Sequence, residues 1–266
     1  MALEQQDEMA ADTKKKLRDV DRMGGFAKGL AVIEAFGNGR ERLTIAEVAR
    51  LSGLDRASAR RCLLTLVEQD YARADERYFE LTPRILKLGQ SYLNASLPRL
   101  IRPTLSWLAD QCEESCSAAV LDFTEVVYIA RASQHRVIGT SLHSGSRLPA
   151  YCTSLGRVLL AELPVDRARE IVEASHRQAL TDHTLTKVKD IMAELTRVRE
   201  QGYAYIDQEV ALNSRSIGVP IRNVVGDTVA AVTIGLHASR CTPERMENTI
   251  LPALHEAQAR LAETLP

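Results

Sequence analysis

Arg56, Ser58, Arg60, Arg61 and Thr65, within LDRASARRCLLTLVEQ, are the residues whose chemistry is easiest to name. The planar arginine fork pairs with phosphate oxygens and guanine edges, and serine and threonine hydroxyls reach either. Ala59, Leu63, Leu66 and Val67 recur at three- and four-residue spacing, so this stretch predicts an amphipathic helix with the basic residues facing solvent. It is the second helix of a pair. Thr44 is a hydroxyl N-cap for Ile45 to Ser52, Gly53 turns the chain, and the longer helix runs from Asp55 to about Asp70. From Tyr71 the pattern switches to period two, with a turn at Asp75-Glu76, which makes a hairpin whose Arg73 and Arg77 reach backbone phosphates. A turn glycine, an arginine-rich second helix and a hairpin wing together predict a winged helix-turn-helix that binds double-stranded DNA. The plainer alternatives are a helical subdomain with a solvated arginine face and a winged helix that contacts only protein. The base-edge residue types on the second helix favour DNA.

A second kind of chemistry sits in SGSRLPAYCTSLGRVLLAEL, where a glycine- and serine-rich loop gives way to a helix at about Thr153 or Ser154. A helix opened by hydroxyl residues presents free N–H groups and a positive dipole end, which suits a carboxylate. The N–H groups of Ser154 and Leu155 are the expected donors. Arg147 adds a formal charge if its loop folds inward, and Tyr151 offers a face on which a ring can stack. The rival from another class is a hydrolase using Ser154 or Cys152 with His143. It lacks a G-x-S-x-G elbow, the histidines show no metal-ligand spacing, and no glycine-rich phosphate loop follows a strand. The sequence therefore predicts no enzyme, no cofactor and no metal.

These residues need elements to position them, and 266 residues suffice for two cores. Phe26, Leu30, Ile33 and Phe36 lie at helical spacing ahead of Gly37 and predict a supporting first helix. Thr82-Pro83 opens another, whose Leu86 and Tyr92 are the expected seam with a second chain. Beyond it, two strand-like runs flank a turn at Asp122 to Glu125. Helices are predicted from Pro164 to Glu173 and from Lys187 to Gln201. Three more strands follow around a turn at Gly226-Asp227, and Thr242-Pro243 caps a last amphipathic helix. The fold class is α+β: an N-terminal winged helix-turn-helix, a linker helix and a C-terminal α/β effector-binding domain with a mainly antiparallel sheet. The expected boundaries are a disordered arm over 1–23, the DNA-binding domain over 24–82, a linker and dimerisation helix over 83–97 and the effector domain over 98–266.

Composition sets the compartment. Hydrophobic residues make up 45% and charged residues 26%, the net charge is −1, and no apolar run is long enough for a membrane span. The arm alternates acids and bases and has no apolar signal core, and Cys62, Cys112, Cys116, Cys152 and Cys241 have no paired spacing. A cytoplasmic protein with reduced thiols is expected. Total charge is silent about DNA, so attraction falls to the local field of Arg56, Arg60, Arg61, Arg73, Arg77, Arg84 and Lys87, opposed by Asp75 and Glu76.

With these residues laid out, the chain from about Gly24 to Leu261 resembles the IclR family of bacterial transcription regulators. The resemblance rests on the winged helix, on LPAYCTSLGRVLLA, and on GYAYIDQEVALNSRSIGVPIRN with its Gly202, Glu209, Ser216, Ile217, Gly218, Ile221 and Asn223. Two positions depart: Ile206 stands where an acidic or serine residue is usual, and Arg222 where an aromatic or histidine is usual. DQE followed by LNSRSIGVPI looks most like the branch regulating aromatic-acid catabolism, with protocatechuate, 4-hydroxybenzoate or β-ketoadipate pathway intermediates as effectors. The resemblance implies a homodimer or dimer of dimers on a palindromic operator and a small organic acid in the C-terminal domain. The pocket residues it implies are Ser154, Leu155, Ser216, Thr233, Gly235 and His237. Each also has a plain structural reading, Ser154 as an N-cap, Ser216 and Thr233 as strand residues and His237 as a strand-end residue.

Overall fold

A computed structural model describes residues 23–37, 40–88, 96–133 and 142–265. These residues fall into two compact units, 23–88 and 96–265. The predicted arm, apart from Met23, lies outside the described residues, as do 89–95, which include Tyr92 and the second half of the predicted linker helix.

The first unit comprises α1 (Gly24–Glu34), β1 (Arg42–Thr44), α2 (Ile45–Ser52), α3 (Arg56–Glu68), β2 (Ala72–Asp75) and β3 (Tyr78–Leu81). Thr44 begins α2 with a reciprocal cap: its hydroxyl accepts from Glu47 N–H at 3.3 Å, and the Glu47 carboxylate accepts from Thr44 N–H at 2.8 Å. Gly53 closes α2 at φ +68°, a left-handed conformation that costs a residue with a Cβ. The Asp55 carboxylate then caps α3 by accepting Ser58 N–H at 2.8 Å. Val32, Leu43, Val48, Ala59, Leu63, Leu66 and Phe79 form the core.

Three details differ from expectation. β1 pairs antiparallel with β3, so the wing is a three-stranded sheet in the order β1-β3-β2; three residues are too short a run to show alternation. The hairpin turn is Glu76-Arg77, one residue later than predicted, because Asp75 still pairs with Tyr78 and Glu76 takes the positive φ of 50°. In α1 the buried residue is Val32, followed by Ala35 at the C-cap, while Phe26 is 66% exposed and Leu30 is exposed with it. Only the last turns of α1 reach the small core. Thr82 caps a short 3-10 turn over Pro83–Ile85, and Leu86 beyond it is exposed.

The second unit is a six-stranded antiparallel sheet with helices on both faces. Its strands are β4 (Ser115–Asp122), β5 (Glu125–Ala132), β6 (Arg147–Pro149), β7 (Ala204–Asp207), β8 (Ser214–Arg222) and β9 (Thr228–His237), ordered β6-β5-β4-β9-β8-β7. The helices are α4 (Ser96–Cys112), α5 (Ser154–Ala161), α6 (Val165–Ala174), α7 (Val188–Gln201) and α8 (Leu251–Thr264). Thr242 caps a short turn at Pro243–Arg245 that leads to α8 through a π turn at Met246–Ile250. On one face Leu105 and Leu108 of α4 and Leu254 and Leu261 of α8 pack on Ala118, Val219, Val232 and Ile234. On the other, Leu155, Val158 and Leu159 of α5 lie over Ala119, Val126 and Ala231, and α6 and α7 cover α5 with Ile171, Val172, Ile191 and Leu195. Each buried leucine or isoleucine contributes about 1.5–3 kcal/mol relative to exposure, so α5, buried on all sides, is fixed against the sheet. Among the described residues no helix is long and apolar enough to cross a membrane.

Candidate functional site

On α3 the structure leaves Arg56, Arg60, Arg61 and Thr65 exposed. Ser58 departs from the prediction: it is 3% exposed, with its hydroxyl accepting from Lys28 and Arg61 at 3.4 Å. The third helical position turns back beneath the Asp55 cap toward α1, which takes Ser58 off the reading face. Leu64, 42% exposed between Arg60, Arg61 and Thr65, completes that face, and an apolar side chain there is suited to a thymine methyl. Sequence reasoning passed over it because leucine periodicity reads as core. On the wing, Arg77 lies over the Tyr78 ring at 5.1 Å, whereas Arg73 donates to Glu80 at 2.8 Å and its charge is compensated.

In the second unit the candidate residues sit on the sheet face that α5 covers. Cross-strand register aligns Arg131, Ser117, Thr233 and Gly218 as one rung across β5, β4, β9 and β8. The next rung outward is Ser115, Gly235, Ser216 and Ile206 across β4, β9, β8 and β7. Paired residues and alternate residues share a face, so both rungs point the same way. The beginning of α5 rests on the inner rung: Ser154 Oγ is 2.7 Å from Thr233 Oγ1, and a Cβ on Gly218 would stand 3.2 Å from Ser154. Beyond the other end of α5, Glu162 accepts from Arg222 at 2.8 Å and from Thr228 at 2.7 Å. The helix therefore runs along the sheet away from the outer rung and turns its N-terminus toward it. Thr153 is the N-cap, its hydroxyl accepting Gly156 N–H at 3.1 Å. Ser154 and Leu155 are first-turn residues whose N–H groups have no partner within the helix. Ser117, Ser154 and Thr233 are buried, while Ser115, Ser216 and Gly235 are half-buried. The result is an open, hydroxyl-lined shelf under a positive helix end.

The structure thus brings Ser154, the Leu155 N–H, Ser216, Thr233 and Gly235 together. The Leu155 side chain belongs to the core. His237 lies farther along β9, exposed, with Nδ1 engaged by Ser239 Oγ at 2.8 Å. Two expected residues are elsewhere. Arg147 pairs with Asp122 at 2.6 Å and Glu125 at 2.7 Å at the opposite end of the sheet, because β6 extends the β4–β5 hairpin and the loop does not fold inward. Tyr151 is 1% exposed and donates to the Gln178 carbonyl at 2.6 Å, leaving no face for a ligand ring. The hydrolase arrangement is not assembled either. Ser154 is bonded to Thr233, exposed His143 has Nδ1 against Ser144 O at 2.9 Å, and burial pushes the Cys152 thiol up to about 12.

Sequence reasoning missed Arg131, whose guanidinium donates to Ser117 at 3.3 Å and Ser115 at 3.2 Å. The spacing was legible as a strand, but the facing of Arg131 is set by a bulge between Ala118 and Ala119. The departures from the family pattern also find places. Arg222 binds Glu162 below α5, and Ile206 gives the outer rung a buried apolar end. Chain and fold agree with known proteins: the family model described as the IclR helix-turn-helix domain matches residues 26–76, and the one described as bacterial transcriptional regulator IclR C-terminal matches 90–262. The chain belongs to the IclR family of bacterial transcription regulators. This IclR-family chain is 39% identical over 249 residues to the Pca regulon regulatory protein of Pseudomonas putida, covering 93% of itself and 86% of the relative. It is 36% identical over 255 residues to the p-hydroxybenzoate hydroxylase transcriptional activator of Acinetobacter baylyi, covering 94% of each. A solved structure of the PobR inducer-binding domain from Acinetobacter, a double mutant in complex with 3-hydroxybenzoic acid, is similar at 32% identity and a TM-score of 0.59. That match covers 63% of this chain and 98% of the other. One relative is named a regulon regulatory protein and the other a transcriptional activator, and as a member of this family the chain is a DNA-binding transcriptional regulator.

Proposed function

We propose that this IclR-family regulator controls genes of aromatic-compound catabolism, reading a palindromic operator as a homodimer or dimer of dimers and sensing a small aromatic or dicarboxylic acid on the α5 shelf. The observation that carries the sensor reading is the direction of α5: its N-terminus faces half-buried Ser115, Gly235 and Ser216. A helix N-terminus carries about half a positive charge, and desolvated hydroxyls complete the hydrogen bonds of an anion held there. We assign the carboxylate to the N–H groups of Ser154 and Leu155, with Ser216 and Thr233 beside it and Ile206 against the hydrocarbon. The similarity to a domain solved with 3-hydroxybenzoic acid supports an aromatic ligand. The acid changes DNA affinity through different affinities for two arrangements of the dimer, and DNA changes acid affinity by the same factor. Calorimetry on the full chain with protocatechuate, 4-hydroxybenzoate and β-ketoadipate, beside their amides, is the test. We expect acids to bind and amides to bind more weakly; equal affinity for the amides would refute the carboxylate site.

A further inference from the structure

Arg131 is a half-buried cation on the shelf that no carboxylate pairs with among the described residues. Its two hydrogen-bond partners among the described residues, Ser117 and Ser115, are neutral hydroxyls, one on each rung, so the guanidinium lies along β4 and spans both. Beside Ser115, across β4 to β9, is Gly235, where an added Cβ would meet nothing nearer than Ser115 O at 4.0 Å. Among the described residues the space over Gly235 is therefore open, bounded by the Arg131 fork on the β4 side and by Ser216 on the β8 side. The α5 N-terminus stands over β8 and β9, and Arg131 is anchored on β5, separated from β9 by β4. The guanidinium itself lies over β4 and the α5 N-terminus over β8 and β9, and strands lie about 4.8 Å apart, so the two positive groups face the space over Gly235 from different strands. Ion-paired arginines elsewhere in the domain, such as Arg147 and Arg215, satisfy their forks with carboxylates of this chain. Arg131 keeps donors for a ligand.

We propose that Arg131 binds the second polar end of the effector, so that the regulator responds to two-ended acids and discriminates against acids with a single polar group. A phenol oxygen, a phenolate or a second carboxylate all accept from a guanidinium, and the charge-assisted bond is stronger than a neutral one. This rests on the placement of the first carboxylate at α5 proposed above. Discrimination follows because a ligand lacking the second group leaves the Arg131 fork covered and unmatched.

The experiment is calorimetric titration of the full-length protein and its Arg131→Gln and Arg131→Lys variants with benzoate, 4-hydroxybenzoate and terephthalate. Thermal melts check that each variant is folded. For the unmodified protein we expect 4-hydroxybenzoate or terephthalate to bind at least tenfold more tightly than benzoate. Arg131→Gln should weaken the two-ended acids by about 10- to 100-fold and leave benzoate unchanged, while Arg131→Lys should weaken them by a smaller factor. If Arg131→Gln does not fold, the selective loss is read from Arg131→Lys against benzoate. Preference for two-ended acids that persists in the folded variants overturns the proposal, and so does a parallel loss of benzoate, which would place Arg131 on the shared carboxylate. Failure of the unmodified protein to bind any of the acids would instead remove the sensor reading itself, and this proposal with it.

Discussion

Arg157 Nη2 donates to Glu209 Oε2 at 2.7 Å, and both side chains are buried, Arg157 at 1% exposure. The pair ties α5 to the segment between β7 and β8. Arg157 Nε also donates to Tyr151 O at 3.0 Å, and Glu209 Oε2 accepts Leu185 N–H at 3.0 Å. Three separate pieces of chain thus meet at one salt bridge, and they include the turn that delivers the Thr153 cap. The family-pattern glutamate is a positioning residue for α5 and does not touch the shelf. Removing one partner leaves a charge stranded in a poorly hydrated interior. Arg157→Ala or Glu209→Ala should therefore cost about 3–5 kcal/mol of stability, with urea unfolding as the measurement. A loss below about 1 kcal/mol would show that water reaches the pair.

Two glycines set how closely α5 approaches its neighbours. A Cβ on Gly156 would stand 2.2 Å from Ala150 O, a separation backbone does not accommodate, whereas one on Gly218 would stand 3.2 Å from Ser154. Gly156→Ala should prevent the effector domain from folding to a cooperative state, read as loss of a sharp thermal transition. Gly218→Ala should fold with a modest loss of stability, because a few tenths of an ångström suffice. That displacement falls on Ser154, so acid affinity should fall about tenfold in calorimetry, the usual scale of one displaced hydrogen bond. Unchanged affinity would detach the inner rung from ligand binding.

The caps of the winged helix carry a pH signature. Bonds from the Ser58 hydroxyl and N–H hold the Asp55 carboxyl below its ordinary value. A carboxyl with a depressed pKa contributes stability that is complete above its unfolded value, roughly 3.9, and is lost as pH falls through the lowered folded value. Asp55→Asn should keep part of the cap without that dependence, and Asp55→Ala should lower the melting midpoint at neutral pH. Melting curves between pH 3 and 7 compare the slopes; an asparagine variant with an unaltered acid limb would place the titrating group elsewhere.

How much of this was legible in sequence depends on the range of the forces involved. α2, its Thr44 cap, Gly53 and α3 follow from residues within four positions of one another, so local pattern suffices. The β4–β5 and β8–β9 hairpins were likewise local. Ser154 was also legible as a helix start, whereas Thr233 and Ser216 came through the family resemblance, and the structure brings them to one face because β8 and β9 are in register. Arg147, Tyr151 and Ser58 were misplaced for a common reason. Each has a side chain whose direction is chosen by a partner distant in sequence: Asp122, the Gln178 carbonyl and Lys28. Arg131 was invisible for the same reason in reverse, since a strand arginine reads as solvent-facing until the bulge at Ala118 is known.

The DNA-reading surface makes the most discriminating prediction, because its arginines differ in what they already hold. Arg60 and Arg61 are exposed on α3, and each alanine substitution should weaken operator binding by about 1–3 kcal/mol if the side chain meets a base edge. Leu64→Ala should relax selectivity at one position while leaving the salt dependence unchanged, since an apolar contact displaces no counterion. On the wing, Arg77 lies over the Tyr78 ring and has no carboxylate partner among the described residues, so Arg77→Ala should reduce the slope of log affinity against log salt by about 1. Arg73 is already neutralised by Glu80, and Arg73→Ala should change that slope much less, whereas Glu80→Ala should free the arginine and steepen it. Gel-shift titrations at several salt concentrations, on the native upstream region and on a scrambled duplex, separate these effects. Full affinity in the Arg60→Ala, Arg61→Ala double variant would remove α3 from the groove, and equal salt slopes for Arg73→Ala and Arg77→Ala would show that the Glu80 pair opens on binding.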